Sequence, residues 1–147
     1  MPGLRRPESV LVVVYTTDRQ VLLLKRNAPF EFWQSVTGSL DPGERALDAA
    51  RRELAEETGL VADRLVDSGI SRTFAIDPRW LDRYAPGITE NLEHEFRVEL
   101  DFPCEITIDA KEHSAWRWVP FDEAVDQVWS WTNKEAIRAL STSSLRA

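Results

Sequence analysis

The sequence predicts a single α/β (α+β) domain over residues 1–147, in which helices cover a mixed β-sheet. Three observations lead there. Short β-branched and aliphatic runs recur along the chain, and one amphipathic helical stretch lies near residue 50. The two kinds of segment interleave without the regular βαβα rhythm of a fully parallel sheet. A length of 147 residues is ordinary for one domain, and 43% hydrophobic residues suffice for one substantial core.

SVLVVVYTT (9–17) and QVLLLKR (20–26) read as two buried strands joined by a tight turn at Asp18 and Arg19. FWQSVTGSL (32–40) supplies one further short strand. In DPGE (41–44) the proline suits the second position of a type II turn and the glycine the third. A helix then begins near Glu44, with Leu47, Ala50 and Leu54 on its core face and Gly59 where a capping glycine would end it. Strand-like segments resume at 60–76, 93–100 and 114–119, separated by loops rich in Pro, Gly, Asp and Asn. PFDEAVDQVWSW and TNKEAIRAL read as two terminal helical pieces, and the tail STSSLRA (141–147) is expected to fray.

A formal net charge of -7 opposes binding to nucleic-acid polymers or anionic membranes, although small anions could still bind through local arginines or a bridging metal. Cys104 is the only cysteine, so no intramolecular disulfide can form and a reducing cytoplasm fits. The apolar run that begins at Val10 spans only about six residues, too short for a signal or membrane segment.

RRELAEETG (51–59) sets Glu53, Glu56 and Glu57 at i, i+3 and i+4 of a helix. Like charges at that spacing repel, so the face is either simply solvated or built to receive a cation. The carboxylates belong to a longer pattern. Gly38, Glu44, Arg52, Glu53, Leu54, Glu56, Glu57, Gly59 and Leu60 fill every specified place of G-x5-E-x7-R-E-U-x-E-E-x-G-U, where U is aliphatic. A chance match at a given start is on the order of 10⁻⁹ on ordinary residue usage. This stretch, 38–60, resembles the Nudix box.

The resemblance implies the Nudix fold, an α/β/α sandwich with a mixed sheet and a loop–helix–loop, and hydrolysis of a phosphoanhydride in a small-molecule triphosphate. It implies Mg²⁺, with Mn²⁺ as a substitute, bridging carboxylates and phosphates and activating water. Glu53 and Glu57 are then metal ligands, and Glu56 is a third ligand or the partner of a metal-bound water. Arg52 and Glu44 tie the loop to the helix, and Gly38 and Gly59 serve backbone geometry. The general base varies in the family and stays open. Glu112, just before the strand at 114–119, is a candidate base or additional ligand, and His113 a candidate phosphate or base contact.

FWQSVTGSLDPGE, RYAPGITENLEHEF, EHSAWRWV and WSWTNKEAI resemble segments of a bacterial branch of the family that acts on 7,8-dihydroneopterin 3′-triphosphate in folate synthesis. The expected products are dihydroneopterin monophosphate and pyrophosphate. Arg5, Arg26, Thr37 and Ser130 are candidate phosphate or pterin contacts. Most of the six tryptophans are expected in the core, Trp116 and Trp118 on one strand face. Two alternatives remain: a housecleaning pyrophosphatase for canonical or oxidised nucleotides, and a silent nucleotide-sensing module, against which the intact carboxylates count. The protein is expected to act as a monomer or homodimer.

Overall fold

A computed structural model describes residues 4–61 and 63–142; most of the tail expected to fray, residues 143–147, lies outside the described residues. The element order is β1 (Glu8–Thr16), β2 (Gln20–Arg26), β3 (Phe32–Gln34), β4 (Val36–Ser39), α1 (Ala46–Thr58), β5 (Leu65–Ala75), a 3-10 helix (Pro78–Arg83), β6 (Glu90–Leu100), β7 (His113–Pro120), α2 (Phe121–Gln127) and α3 (Trp131–Thr142). The sheet runs β3-β2-β1-β6-β5, with β7 on β2 and β4 on β1. It is mixed: β1 and β6 are parallel, and the other pairs are antiparallel.

β1 is apolar on both faces because both faces are covered. Val10, Val12 and Val14 pack with Ala49, Ala50 and Leu54 of α1, whereas Leu11, Val13 and Tyr15 pack with Phe121 and Ala124 of α2 and Ala136, Ile137 and Leu140 of α3. The result is the expected α/β/α sandwich. Each side chain of this size that is fully withdrawn from water contributes about 1.5–3 kcal/mol, so the double-sided strand anchors both layers. The edge of β1 opposite β6 is shared: β4 takes Ser9–Val12, and β2 pairs at Tyr15.

The stretch 32–40 forms two strands on different partners, not one. The break is at Ser35, whose amide donates to Asn133 Oδ1 at 2.8 Å, drawing the backbone toward α3. Asp41–Glu44 closes with Glu44 N–H donating to the Asp41 carbonyl at 3.0 Å and Gly43 at φ 75°, as a type II turn requires. Because Glu44 is held in that turn, α1 starts at Ala46; it ends at Gly59, left-handed at φ 76°, whose N–H donates to Ala55 O. None of the six tryptophans is fully buried. Trp116 and Trp118 do lean together on the α1-side core, with Trp118 Nε1 donating to the Cys104 carbonyl at 2.9 Å. Among the described residues no helix is long and apolar enough to cross a membrane.

Candidate active site

α1 lies against β4, and this contact is built around a missing side chain. A Cβ at Gly38 would coincide with the Glu53 carboxyl, so only glycine lets that carboxylate lie over the strand. Glu57, one turn on, is 1% exposed, and the Thr37 backbone amide is hydrogen-bonded to it. Burial pushes the Glu53 carboxyl above its ordinary value, against the pull of its bonds to Glu57 and Arg52. Burial pushes Glu57 well above, reinforced by the hydrogen bond and charge of Glu53 and the charge of Glu112. Burial and mutual repulsion both oppose two full charges on carboxyls this close, and a divalent cation supplies the missing compensation.

Arg52 is the clasp of the loop and helix. Its Nε and Nη2 donate to the two oxygens of Glu44, both at 2.9 Å, Nη2 also reaches the Ser39 carbonyl at 3.1 Å, and Nη1 reaches Glu53 at 2.9 Å and Glu56 at 3.4 Å. The bidentate bond from Arg52 holds Glu44 below the usual carboxylate range. Glu56 faces outward, its side chain 53% exposed.

A cavity of about 560 Å³ opens from these carboxylates. Glu53, Glu56, Arg52 and Gly38 line one part of it, Arg5, Arg26 and Glu112 another. Arg26 is pressed below its ordinary value by burial and then by the neighbouring charge of Arg5, so two cations crowd one wall. The cavity continues past Thr37 to β6 and the start of α3, where Asn91, Glu93, Ser130 and Asn133 line it. Phe32, Trp80 and Trp129 form a rim with Phe30, ring centroids 4.7–5.8 Å apart.

The fit to a hard cation can be read from the donors. Glu57 Oε1 is buried without a hydrogen-bond partner, and it stands beside Glu53 in an all-oxygen pair. Among the described residues no three carboxylate, histidine or cysteine side chains are gathered to hold an ion by themselves. Two carboxylates with an orphaned oxygen suit an ion that fills its other positions with water and phosphate oxygens.

Of the residues singled out in the sequence, Arg5, Arg26, Thr37, Gly38, Arg52, Glu53, Glu56, Glu112 and Ser130 line this one cavity. The Thr37 hydroxyl is occupied, donating to the Val10 carbonyl at 2.9 Å. Ser130 sits within 2.7 Å of the Thr132 hydroxyl and accepts from the Asn133 amide at 3.4 Å, so it caps α3. His113 departs from expectation. It opens β7, is 1% exposed, and stands behind Glu57 with its Nε2 3.8 Å from Glu57 Oε1 and 3.2 Å from Gln34 Nε2. Burial, helped by Arg26, presses its imidazole down to about 4, so it is neutral near pH 7 and supports the buried wall without reaching a phosphate. Sequence reasoning missed Asn91, Glu93 and Trp80. On β6 the polar residues 91, 93 and 95 alternate as a solvent-facing strand would, and nothing local signals that α3 covers that face.

The carboxylate pair set into a glycine gap, clasped by arginine and opening on a cationic wall, is the chemistry of a Nudix hydrolase. The Nudix family model matches residues 5–140, and the chain belongs to that family. The dihydroneopterin triphosphate diphosphatase of Escherichia coli (strain K12) is 43% identical over 138 residues, covering 90% of this chain and 91% of the relative. The enzyme of the same name from Haemophilus influenzae is 40% identical over 136 residues, covering 89% and 85%. The solved structure of the E. coli dihydroneopterin triphosphate pyrophosphohydrolase superposes with a TM-score of 0.87 at 38% identity, covering 92% of this chain and 94% of that one.

The gap at Gly38 carries a direct expectation. Gly38→Ala should leave thermal stability within a few degrees, because only the end of a flexible side chain must move. Displacing Glu53 should lower kcat by roughly a hundredfold. Steady-state rates beside a thermal melt check both; an active variant would show that the position of Glu53 is not critical.

Proposed function

We propose that this chain hydrolyses 7,8-dihydroneopterin 3′-triphosphate to dihydroneopterin monophosphate and pyrophosphate, with Mg²⁺ as its cation. The observation that carries the reading is the one cavity that joins Glu53, with Glu57 buried behind its lining, to a polar, aromatic-rimmed slot large enough for a bicyclic ring. The two relatives described above, at 40% identity or more, are named for dihydroneopterin triphosphate.

In this reading Glu53 and Glu57 hold the cation, with Glu56 or Glu112 completing its contacts. The bound ion supplies charge neutralisation on the phosphates and an acidified water. The chain's own residues do the rest. Arg5 and Arg26 hold the phosphate oxygens, Arg52 and Glu44 keep the loop in register with α1, and Glu112 stands across from Glu57 as the candidate base. Buried His113 remains neutral and keeps water from the back of Glu57. The planar ring then reaches the slot beneath α3, where Ser130 caps the helix.

Initial rates with Mg²⁺ against dihydroneopterin triphosphate and a panel of nucleoside triphosphates test the reading. A kcat/KM preference for the pterin of at least about tenfold, with pyrophosphate released, is the expected result. Equal or faster turnover of a nucleotide would make the protein a nucleotide pyrophosphatase instead.

A further inference from the structure

We propose that Glu93, flanked by Asn91, is the specificity-determining residue that reads the ring, accepting hydrogen bonds from the paired N–H donors of a 2-amino-4-oxo-pyrimidine edge. The proposal rests on the function above only in taking that edge from a pterin; guanine presents the same edge.

Glu93 projects from β6 on the face covered by α3, the face of the sheet opposite α1, and lines the cavity there. It is 6% exposed, and its Oε1 is buried with no hydrogen-bond partner. Asn91, two residues earlier on the same face and 2% exposed, donates to Ser9 Oγ at 2.8 Å and leaves its own carbonyl oxygen unpaired. Two neighbouring acceptors without donors are costly to bury, and a fold retains them where a ligand brings the donors. The basic side chains that bear on Glu93 are already engaged: Arg72 Nη1 donates to Glu95 at 2.9 Å and Arg72 Nε to Glu135 at 3.2 Å, and His94 Nε2 lies 2.7 Å from Glu8 Oε2. The Thr132 hydroxyl, at the first turn of α3, is hydrogen-bonded to the Glu93 carboxylate.

A carboxylate accepts best from two parallel N–H groups in one plane. The exocyclic amine and adjacent ring N–H of a pterin or guanine form that fork. Hypoxanthine lacks the amine, and adenine presents a ring acceptor where the N–H would be. The wall therefore selects by donor pattern, while the aromatic rim of Phe32, Trp80 and Trp129 offers faces to any planar ring.

The test compares the wild type with Glu93→Gln on dihydroneopterin triphosphate, dGTP, dITP and dATP. Glutamine keeps the size but turns an N–H toward the ligand's donors. The variant should lose roughly a hundredfold in kcat/KM on the pterin and dGTP, mainly through KM, and stay within about threefold on dITP and dATP. Equal losses on all four, or a fall confined to kcat, would reduce Glu93 to a structural residue; no loss on any would remove it from the site. Glu93-dependent turnover of dGTP without turnover of the pterin would retire the substrate and keep the edge reader. Pterin turnover indifferent to Glu93→Gln would do the reverse. Calorimetric binding of neopterin to both proteins in EDTA gives a readout free of the chemical step: saturable binding weakened in the variant is expected, and equal binding overturns the proposal.

Discussion

Glu57→Gln is expected to fold normally and to turn over substrate roughly a thousandfold or more slowly. Glutamine preserves the volume and helix propensity of a side chain that is 1% exposed. It removes the charge that the orphaned Oε1 would present to a cation. Because burial pushes the Glu57 carboxyl well above its ordinary value, its charge is costly in the cation-free fold, and the neutral amide removes that cost. The melting temperature should therefore hold or rise while activity collapses. Rates across a Mg²⁺ titration and a melt in EDTA separate the two effects. Near-normal metal-dependent activity in the variant would remove Glu57 from the metal site.

The second large effect is on stability, at Glu93. Burial pushes its carboxyl up from 4.5 to about 7; the Thr132 hydroxyl, Arg72 and His94 pull it down, and Glu95 pushes it further up. A folded-state value above the unfolded one means that the folded protein keeps a proton the unfolded chain releases. The stabilisation is complete below pH 4.5, is lost as pH rises through about 7, and stays lost above. At pH 8 the difference is on the order of 3 kcal/mol. Glu93→Gln should accordingly be more stable than the wild type by about 2–3 kcal/mol at pH 8 and nearly equal to it at pH 4.5. Urea denaturation at the two pH values checks the sign. A variant less stable at pH 8 would mean that the carboxylate is paired within the protein. Stability gained as function is lost is the mark of a residue kept for its ligand.

Much of this molecule is local, and the local part was legible. β1 reads as a doubly buried strand because its apolar residues are consecutive, and α1 shows its core face, its capping glycine and its carboxylates within one short segment. The gap at Gly38 and the Arg52–Glu44 clasp follow from a motif that combines both. What the chain does not show locally is what folds over what. Ser35 breaks a strand because Asn133, far along the sequence, captures its amide. His113 reads as a loop residue until β7 pairs with β2 and draws it behind Glu57. Glu93 reads as a solvent-facing residue until α3 covers it. The tryptophans mislead for a related reason: their bulk suggests core, yet Trp80, Trp129 and Trp131 line the cavity.

That aromatic rim also makes the protein its own optical reporter. Trp80 and Trp129 lie 5.6 Å apart, centroid to centroid, at the place a ring must pass. Pterins absorb in the near ultraviolet where indole emits, and because resonance transfer weakens steeply with distance, a ring in the slot is expected to quench these two side chains most strongly. Occupancy then registers as a partial quench of the protein's own light, without label or coupled assay.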